Sequence, residues 1–401
     1  MVLPKESMDN QIRFADRFEG VTGSEIRKIF SLLSDPQIIS LAGGNPSPRA
    51  FPAEELAELS RELIAGSGSY VLQYGETKGD RELLGILKER DARLFGENDD
   101  IIITSGASQG IEMFARSLLN EGDSMLVESP TFLGALQTFR MTRANIRAVK
   151  MEHDGVDIAC LEEAIEGQGN KPKFFYIVPT FQNPSGLTTS EQKRKEIYAL
   201  CKRHGVLILE DDPYAALRYN GRPQKSIKAF DNSGIVCRLM SFSKTISPGL
   251  RVGYAIADKE VIAKINLLKQ GQDVCTSCLS QTLVRKYLES GLYEGHVKKL
   301  VELYRTQRDA MLSAIETHFP AEVRYMQPEG GLFVWVTLPE GMDSGRLFER
   351  CIEQKVAFVP GSPFFAEGGH KNTLRLNFSM PTVSDIRTGV ARIGKIISEY
   401  D

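Results

Sequence analysis

Short apolar segments alternate with longer segments of helical periodicity along the middle of the chain. Apolar or β-branched runs that end in turn residues indicate buried strands, and they fall at residues 101–104, 124–127, 145–149, 174–178 and 206–209. Helical patterns lie between these runs, such as residues 111–119 after a turn of small residues. Strands separated by single helices require parallel crossovers. The pattern therefore predicts a large α/β domain over residues 51–288, with a mostly parallel sheet between helices.

One of these helices carries its own start and stop signals. Thr188 and Glu191 have the spacing of a capping box, and Gly205 follows the last helical residue. Ile197, Leu200 and Cys201 fall on one face between them.

The two ends of the chain show a different pattern. A charged helical segment at 293–318 precedes alternating residues at 332–336, and strand-like segments at 356–359 and 374–378 lead to a final helix at 382–400. This order predicts an α+β arrangement for residues 289–401. Residues 1–50 hold one amphipathic helix at 23–33 and an irregular Gly/Pro stretch, and we expect them to pack with the C-terminal part as a second, smaller domain.

Composition narrows the class of protein. A chain of 401 residues with a net charge of −3 can bury a large core but has no basic surface for nucleic acid or anionic membranes. Residues 1–20 lack the pattern of a secretory signal, and no apolar stretch is long enough to span a bilayer, so we expect a cytoplasmic protein. Six scattered cysteines do not form a disulfide framework, and Cys275 and Cys278 are interpreted as reduced thiols rather than as a metal or redox site.

The most informative segment places a lysine directly after an apolar strand. Lys244 lies among hydroxyl residues and is followed seven positions later by Arg251. Partial desolvation beside another cation lowers the pKa of an amine, which makes it a nucleophile toward aldehydes. Ser241, Ser243 and Arg251 offer donors for a dianionic phosphate. The alternative is a solvated lysine on a loop.

Polar residues also follow other predicted strands. Asp211 and Tyr214 follow the strand at 206–209, where α/β sheets bind ligands, and a buried carboxylate there requires a cation such as a protonated pyridine nitrogen. Asn183 lies in an Asn-Pro turn, which is either only a turn or a source of a side-chain amide donor to the ligand. Tyr214 offers a second donor, to a phenolate oxygen of the same ligand. Residues 105–110 join a strand to a helix N-terminus suited to phosphate, but without the glycine spacing of a dinucleotide site.

With these segments in this order, the sequence resembles the fold-type-I pyridoxal-phosphate aminotransferases, in the branch of 2-aminoadipate, kynurenine and multi-substrate bacterial enzymes. The resemblance extends from about residue 23 to about residue 397. It is carried by the motifs A-G-G-N-P, L-Q-Y-G, T-S-G-A-S-Q-G, Q-N-P-S-G, E-D-D-P-Y, S-F-S-K-T-I-S-P-G-L-R-V-G-Y and T-L-R-L-N-F-S. It implies an aspartate-aminotransferase-like fold with a seven-stranded type of sheet, and pyridoxal 5'-phosphate as cofactor.

The resemblance also implies roles for residues around the cofactor. Lys244 matches the lysine that holds the cofactor as a Schiff base, Asp211 the acid paired with the ring nitrogen, and Phe132 the aromatic residue that stacks on the ring. Asn183 and Tyr214 match the residues that bond to the ring oxygen. The implied phosphate donors are Ala107, Ser108, Ser241, Ser243 and Arg251.

Further matches concern the substrate and a second subunit. Arg375 matches the arginine that binds the substrate α-carboxylate, and Gly43 and Gly44 match a loop over the substrate. Tyr74 matches a tyrosine that reaches the phosphate of the neighbouring subunit, which implies a homodimer. Arg27 either meets a distal substrate carboxylate or belongs to an ordinary polar helix face.

These matches imply transamination between an L-amino acid and a 2-oxo acid. We expect 2-oxoglutarate as acceptor and 2-aminoadipate, or broad acidic, aromatic and branched amino acids, as donors. Two alternatives stay open at this point. One is another reaction of the same cofactor class, such as that of a lyase, decarboxylase or racemase, and the other is a non-enzymatic effector-binding module.

Overall fold

The computed structural model of the protein describes residues 14–18 and 35–400, so the helix predicted at 23–33 lies outside the described residues. An eight-stranded sheet dominates the described part. Its strands are Asp99–Thr104 (β2), Ser124–Ser129 (β3), Asn145–Glu152 (β4), Gly155–Val156 (β5), Pro172–Ile177 (β6), Leu207–Asp211 (β7), Val236–Ser241 (β8) and Gly253–Asp258 (β9). They lie in the order β2-β9-β8-β7-β6-β3-β4-β5.

Most neighbouring strands of this sheet are parallel. The pairs β8–β7, β7–β6, β6–β3 and β3–β4 are parallel, whereas β9 runs antiparallel between β2 and β8. The two-residue strand β5 extends the edge of a seven-stranded sheet as an antiparallel partner of β4. The predicted α/β fold with a mostly parallel sheet is thus confirmed.

Helices cover both faces of this sheet because alternate strand residues are apolar on both sides. Phe174 and Tyr176 pack in one buried cluster, and Phe175 and Ile177 pack in another on the opposite face. The helices of this part of the chain are Ala53–Val71 (α1), Arg81–Arg90 (α2), Ala107–Leu118 (α3), Leu133–Arg140 (α4), Ile158–Glu166 (α5), Glu191–His204 (α6), Lys259–Gln272 (α7) and Cys278–Glu289 (α8).

The C-terminal residues form a four-stranded antiparallel sheet with helices beside it. Its order is β10-β11-β14-β13, with Arg324–Tyr325 (β10), Phe333–Thr337 (β11), Val359–Pro360 (β13) and Thr373–Asn377 (β14). The helices are Leu292–His318 (α9), Ser344–Glu353 (α10) and Val383–Ser398 (α11). Ile39–Ser40 (β1) pairs in parallel with Val356–Ala357 (β12), so the chain just before the glycine loop contacts the C-terminal part.

Two local predictions were wrong. The cap of α6 is Ser190, whose side chain accepts from the Lys193 N–H, because the Thr188 hydroxyl instead accepts from the Phe181 N–H at 3.4 Å. The strand predicted at 356–359 is divided, because β12 pairs with β1 whereas β13 pairs with β14 in a different sheet. Across the described residues, every helix is too short or too polar to cross a membrane.

Candidate active site

Six strands of the large sheet run in the same direction, and residues that line a cavity follow five of them. The strands β2, β3, β6, β7 and β8 run in one direction and end at Thr104, Ser129, Ile177, Asp211 and Ser241. The carboxyl edge of such a sheet is where α/β proteins bind ligands, because loops there converge without covering the strand ends.

A cavity of about 340 Å³ lies at this edge. It brings together most of the residues that the sequence singled out, namely Gly44, Ala107, Ser108, Phe132, Asn183, Asp211, Tyr214, Ser241, Ser243, Lys244, Arg251 and Arg375. Gly43 is buried beside Gly44 in the same loop but does not line the cavity. Tyr74 lies away from the cavity of its own chain and is 78% exposed. Arg27 lies outside the described residues.

Lys244 is a partly buried residue in the turn after β8. Its Nζ donates to the carbonyl oxygen of Gly44 at 3.0 Å. Burial, together with the guanidinium groups of Arg375 and Arg251, lowers the pKa of Lys244 to about 8. A substantial fraction of the amine is therefore neutral near pH 8, as a nucleophile toward an aldehyde requires.

Asp211 is the last residue of β7, and only one of its two carboxylate oxygens has a hydrogen-bond partner among the described residues. Its Oδ2 accepts from the Tyr176 hydroxyl at 2.8 Å, whereas Oδ1 is buried and has no hydrogen-bond partner among the described residues. Burial raises the pKa of Asp211 to about 7, although the Tyr176 hydroxyl and the Lys244 amine act in the opposite direction. A buried carboxylate oxygen without a donor is costly, so this atom fits a ligand that brings an N–H.

Arg375 is held in a fixed plane on the other side of the cavity. Its Nη1 donates to Asn183 Oδ1 at 2.9 Å, and its Nη2 donates to the carbonyl oxygen of Ala42 at 2.8 Å. The guanidinium carbon lies 4.3 Å from the ring centre of Phe333 and 5.1 Å from that of Phe364. Burial lowers the pKa of Arg375 to about 10, which still leaves a cation at neutral pH. A planar cation beside two aromatic rings is suited to binding a carboxylate through paired hydrogen bonds.

Small residues and hydroxyls form the remaining end of the cavity. Gly106 precedes α3 with φ of +84° and provides no side-chain cap, so the first N–H groups of the helix are available to a ligand. A Cβ at Gly106 would lie 2.9 Å from Arg251 Cζ, so glycine allows the guanidinium to approach this turn. Ser241 Oγ donates to Ser243 Oγ at 2.9 Å. These donors fit a phosphate group.

Sequence reasoning missed residues that support the site from inside the sheet. Besides Tyr176, Glu128 near the end of β3 accepts from the Val178 N–H at 3.0 Å and from Gln182 Nε2 at 3.2 Å. Burial raises the pKa of Glu128 to about 8. Both residues interrupt apolar strands with a polar group, and this was the signal that would have identified them.

Comparison with known proteins agrees with this chemistry. The family described as aminotransferase class I and II matches residues 36–393. An aromatic-amino-acid aminotransferase 1 from Thermococcus litoralis is 40% identical over 99% of this chain and 97% of its own length. A 2-aminoadipate transaminase from Thermus thermophilus is 37% identical over 94% of each chain.

A solved structure extends the similarity to the whole fold. The kynurenine aminotransferase of Pyrococcus horikoshii, solved in complex with PMP, is 39% identical to this chain and superposes with a TM-score of 0.92. The match covers 96% of this chain and 97% of that one.

The cavity fits pyridoxal phosphate on its own geometry. The unpartnered Oδ1 of Asp211 suits a protonated ring nitrogen, the neutral fraction of Lys244 suits an aldehyde, and the end near Gly106 and Arg251 suits a phosphate. The residues, the fold and the relatives agree, and the chain therefore belongs to the class I and II aminotransferases, which makes it a pyridoxal-phosphate enzyme.

Proposed function

We propose that this aminotransferase transfers the amino group of an L-amino acid to 2-oxoglutarate. The proposed donors are 2-aminoadipate or a broad set of acidic, aromatic and branched amino acids. The names of the relatives support this range, because one is called an aromatic-amino-acid aminotransferase and another a 2-aminoadipate transaminase. The observation that carries the proposal is the convergence of the Lys244 amine, the unpartnered Asp211 oxygen and the Arg375 guanidinium in one cavity.

Lys244 is proposed to hold the cofactor and to move the proton at the substrate Cα. When bound, pyridoxal phosphate supplies an aldehyde for amine exchange and a ring that accepts electrons from the Cα bond. Near neutral pH the Lys244 amine exists in both protonation states, so it serves as base and then as acid. Asp211 is proposed to accept a hydrogen bond from the ring nitrogen through Oδ1, with Tyr176 fixing the orientation of the carboxylate.

The other residues around the cavity are proposed to orient the two ligands. Phe132 lies at the cavity wall and is proposed to stack on the ring, and Asn183 and Tyr214 are proposed to bond to the ring oxygen. We assign the phosphate group to Ala107, Ser108, Ser241, Ser243 and Arg251.

Arg375 is proposed to bind the substrate α-carboxylate. Its bonds to Asn183 and Ala42 fix the guanidinium before substrate arrives, which lowers the entropy lost on binding. Gly44 is proposed to leave room for the substrate, because a Cβ at this position would lie 3.4 Å from Phe333 Cζ and 3.9 Å from Arg375 Nη2.

We further propose a homodimer in which Tyr74 contributes to the neighbouring active site. Exposed apolar side chains concentrate around it, with Leu72 at 68% and Val274 at 49% exposure. The two segments are contiguous because the Gly75 N–H lies 3.4 Å from Cys275 Sγ. An exposed apolar patch of this kind is often covered by another protein, and a second copy of this chain would also explain why the apolar ring of Tyr74 is exposed. All six cysteines are free thiols, which supports a cytoplasmic location.

The test is an absorbance and transfer assay on the purified full-length protein. The protein should be yellow, bleach with borohydride, and convert 2-oxoglutarate to glutamate when offered 2-aminoadipate or an aromatic amino acid. Lys244→Arg should abolish the transfer. Lys228 is a buried lysine paired with Asp99 and Asp231, and the control variant Lys228→Arg should retain the transfer. A colourless protein that does not bind the cofactor would refute the proposal. Product release that needs no 2-oxo acid would instead indicate a lyase or decarboxylase.

A further inference from the structure

A buried lysine outside the cavity organises the turn at its phosphate end. Lys269, near the end of α7, has no exposed surface. Its Nζ donates to both carboxylate oxygens of Asp273, at 2.7 and 2.8 Å, and to Thr276 Oγ1 at 3.0 Å. It also lies 3.3 Å from Gln109 Oε1. A buried ammonium is retained only where such acceptors compensate for its lost hydration.

The same cluster also forms hydrogen bonds with the turn between β2 and α3, on the side away from the cavity lining. Gln109 Oε1 accepts from the Ser105 N–H at 2.7 Å, and Gln109 Nε2 donates to Asp273 Oδ2 at 2.7 Å. The Ser105 hydroxyl donates to the same Asp273 oxygen at 2.8 Å. Burial alone would raise the pKa of Asp273, but the bonds from Lys269, Gln109 and Ser105 lower it below the ordinary value. Asp273 is therefore an anion whose neighbours fix it in place.

Ser105 connects this cluster to residues that line the cavity. The carbonyl oxygen of Ser105 accepts from Arg251 Nη2 at 2.9 Å, and the next residues, Gly106 and Ala107, lead into the first turn of α3. Ala107 and Arg251 line the cavity, whereas Lys269, Asp273 and Gln109 do not. The buried cluster thus sets the direction of main-chain N–H groups and of a guanidinium that it does not itself expose to ligand.

We propose that Lys269 and Asp273 are positioning residues for the cofactor phosphate. The inference rests on the proposed function, because it needs the phosphate to bind at Ala107, Ser108 and Arg251. A dianion is bound strongly only where its donors are already oriented, since reorienting them on binding consumes part of the interaction. Loss of the Lys269 ammonium leaves the Asp273 carboxylate without its main counter-charge and releases the turn that it holds.

The experiment compares two ligands that differ only in the phosphate. Full-length Lys269→Met, stripped of cofactor, is titrated with pyridoxal phosphate and with pyridoxal, and binding is followed by absorbance. We expect the dissociation constant for pyridoxal phosphate to rise about tenfold or more, with little change for pyridoxal. Lys228→Met is the matched control, because Lys228 is equally buried and paired with two aspartates but lies outside the cavity lining.

Gln109→Leu tests the same link if the Lys269 variant does not fold. Gln109 is partly exposed and lies outside the cavity lining, and its loss frees the Ser105 N–H. Weakening of both ligands to the same degree, or of neither, would overturn the inference. The unaltered protein separates the two proposals: if it fails to bind pyridoxal phosphate, the proposed function is wrong, whereas normal binding with no selective effect at positions 269 and 109 refutes only the positioning role.

Discussion

Replacing Asp211 by asparagine should stabilise the cofactor-free protein in a pH-dependent way. Burial raises the pKa of Asp211 from its ordinary value of 3.8 to about 7, so ionising this carboxyl is harder in the folded than in the unfolded chain. Its contribution to stability is therefore fully present below about pH 4 and is lost as the pH rises through about 7. A difference of about three pKa units corresponds to roughly 4 kcal/mol of unfolding free energy.

Asp211→Asn removes this loss, because an amide does not ionise. Urea denaturation of both cofactor-free proteins, at steps from about pH 5 to about pH 8, should show the variant gaining about 1.4 kcal/mol per pH unit and levelling off above about pH 7. The variant should also lose transamination. Asp157→Asn is the control: the Cys160 and Ala159 N–H groups lower the pKa of Asp157 at the start of α5, so this variant should lose stability by an amount that does not change over the same pH range. A stability difference at position 211 that does not vary with pH would refute this reasoning.

Three further changes test individual contacts. Tyr176→Phe removes the 2.8 Å hydrogen bond that lowers the pKa of Asp211, so the midpoint of the pH-dependent stability should rise by about one unit or more, and an unchanged midpoint would contradict this role. Arg375→Lys loses the paired geometry toward Asn183 and Ala42, so KM for the amino donor should rise about tenfold or more in steady-state assays while cofactor absorbance stays the same; equal KM values would exclude Arg375 as the carboxylate site. Tyr74→Phe should weaken cofactor binding about tenfold in absorbance titrations without changing the mass of the proposed dimer in sedimentation, and unaltered affinity would argue against its reach into a second site.

The order of strands and helices could be predicted because apolar periodicity is a local property. Each strand of the parallel core lies within a few residues of its expected position, and Gly205 ends α6 in the left-handed conformation, as the sequence indicated. Cap identity was harder, because Thr188 and Ser190 both offer a hydroxyl and the choice depends on the contact between Thr188 and Phe181.

The partners of the residues that support the cavity could not be predicted in the same way. Tyr176 and Asp211 are 35 positions apart and meet only because β6 and β7 are neighbours in the sheet. Lys269 and Gln109 are 160 positions apart and meet where α7 packs beside α3. Motif resemblance identified the residues that face the cavity, whereas these partners depend on the register of elements distant in sequence.

The acceptors that hold Lys244 and Arg375 near residues 42–44 have a genetic consequence. Both acceptors are main-chain carbonyl oxygens, of Gly44 and Ala42. Every amino acid has such an oxygen, so the position of these acceptors depends on the path of the backbone and not on the identity of the side chain. A saturation scan of this loop would therefore report changes in side-chain size and in backbone conformation, because no amino-acid replacement can delete the two oxygen atoms. Pairing of Ile39 with Val356, just before this loop, helps to hold that path, so substitutions that disturb the pairing should displace the acceptors of both cations together.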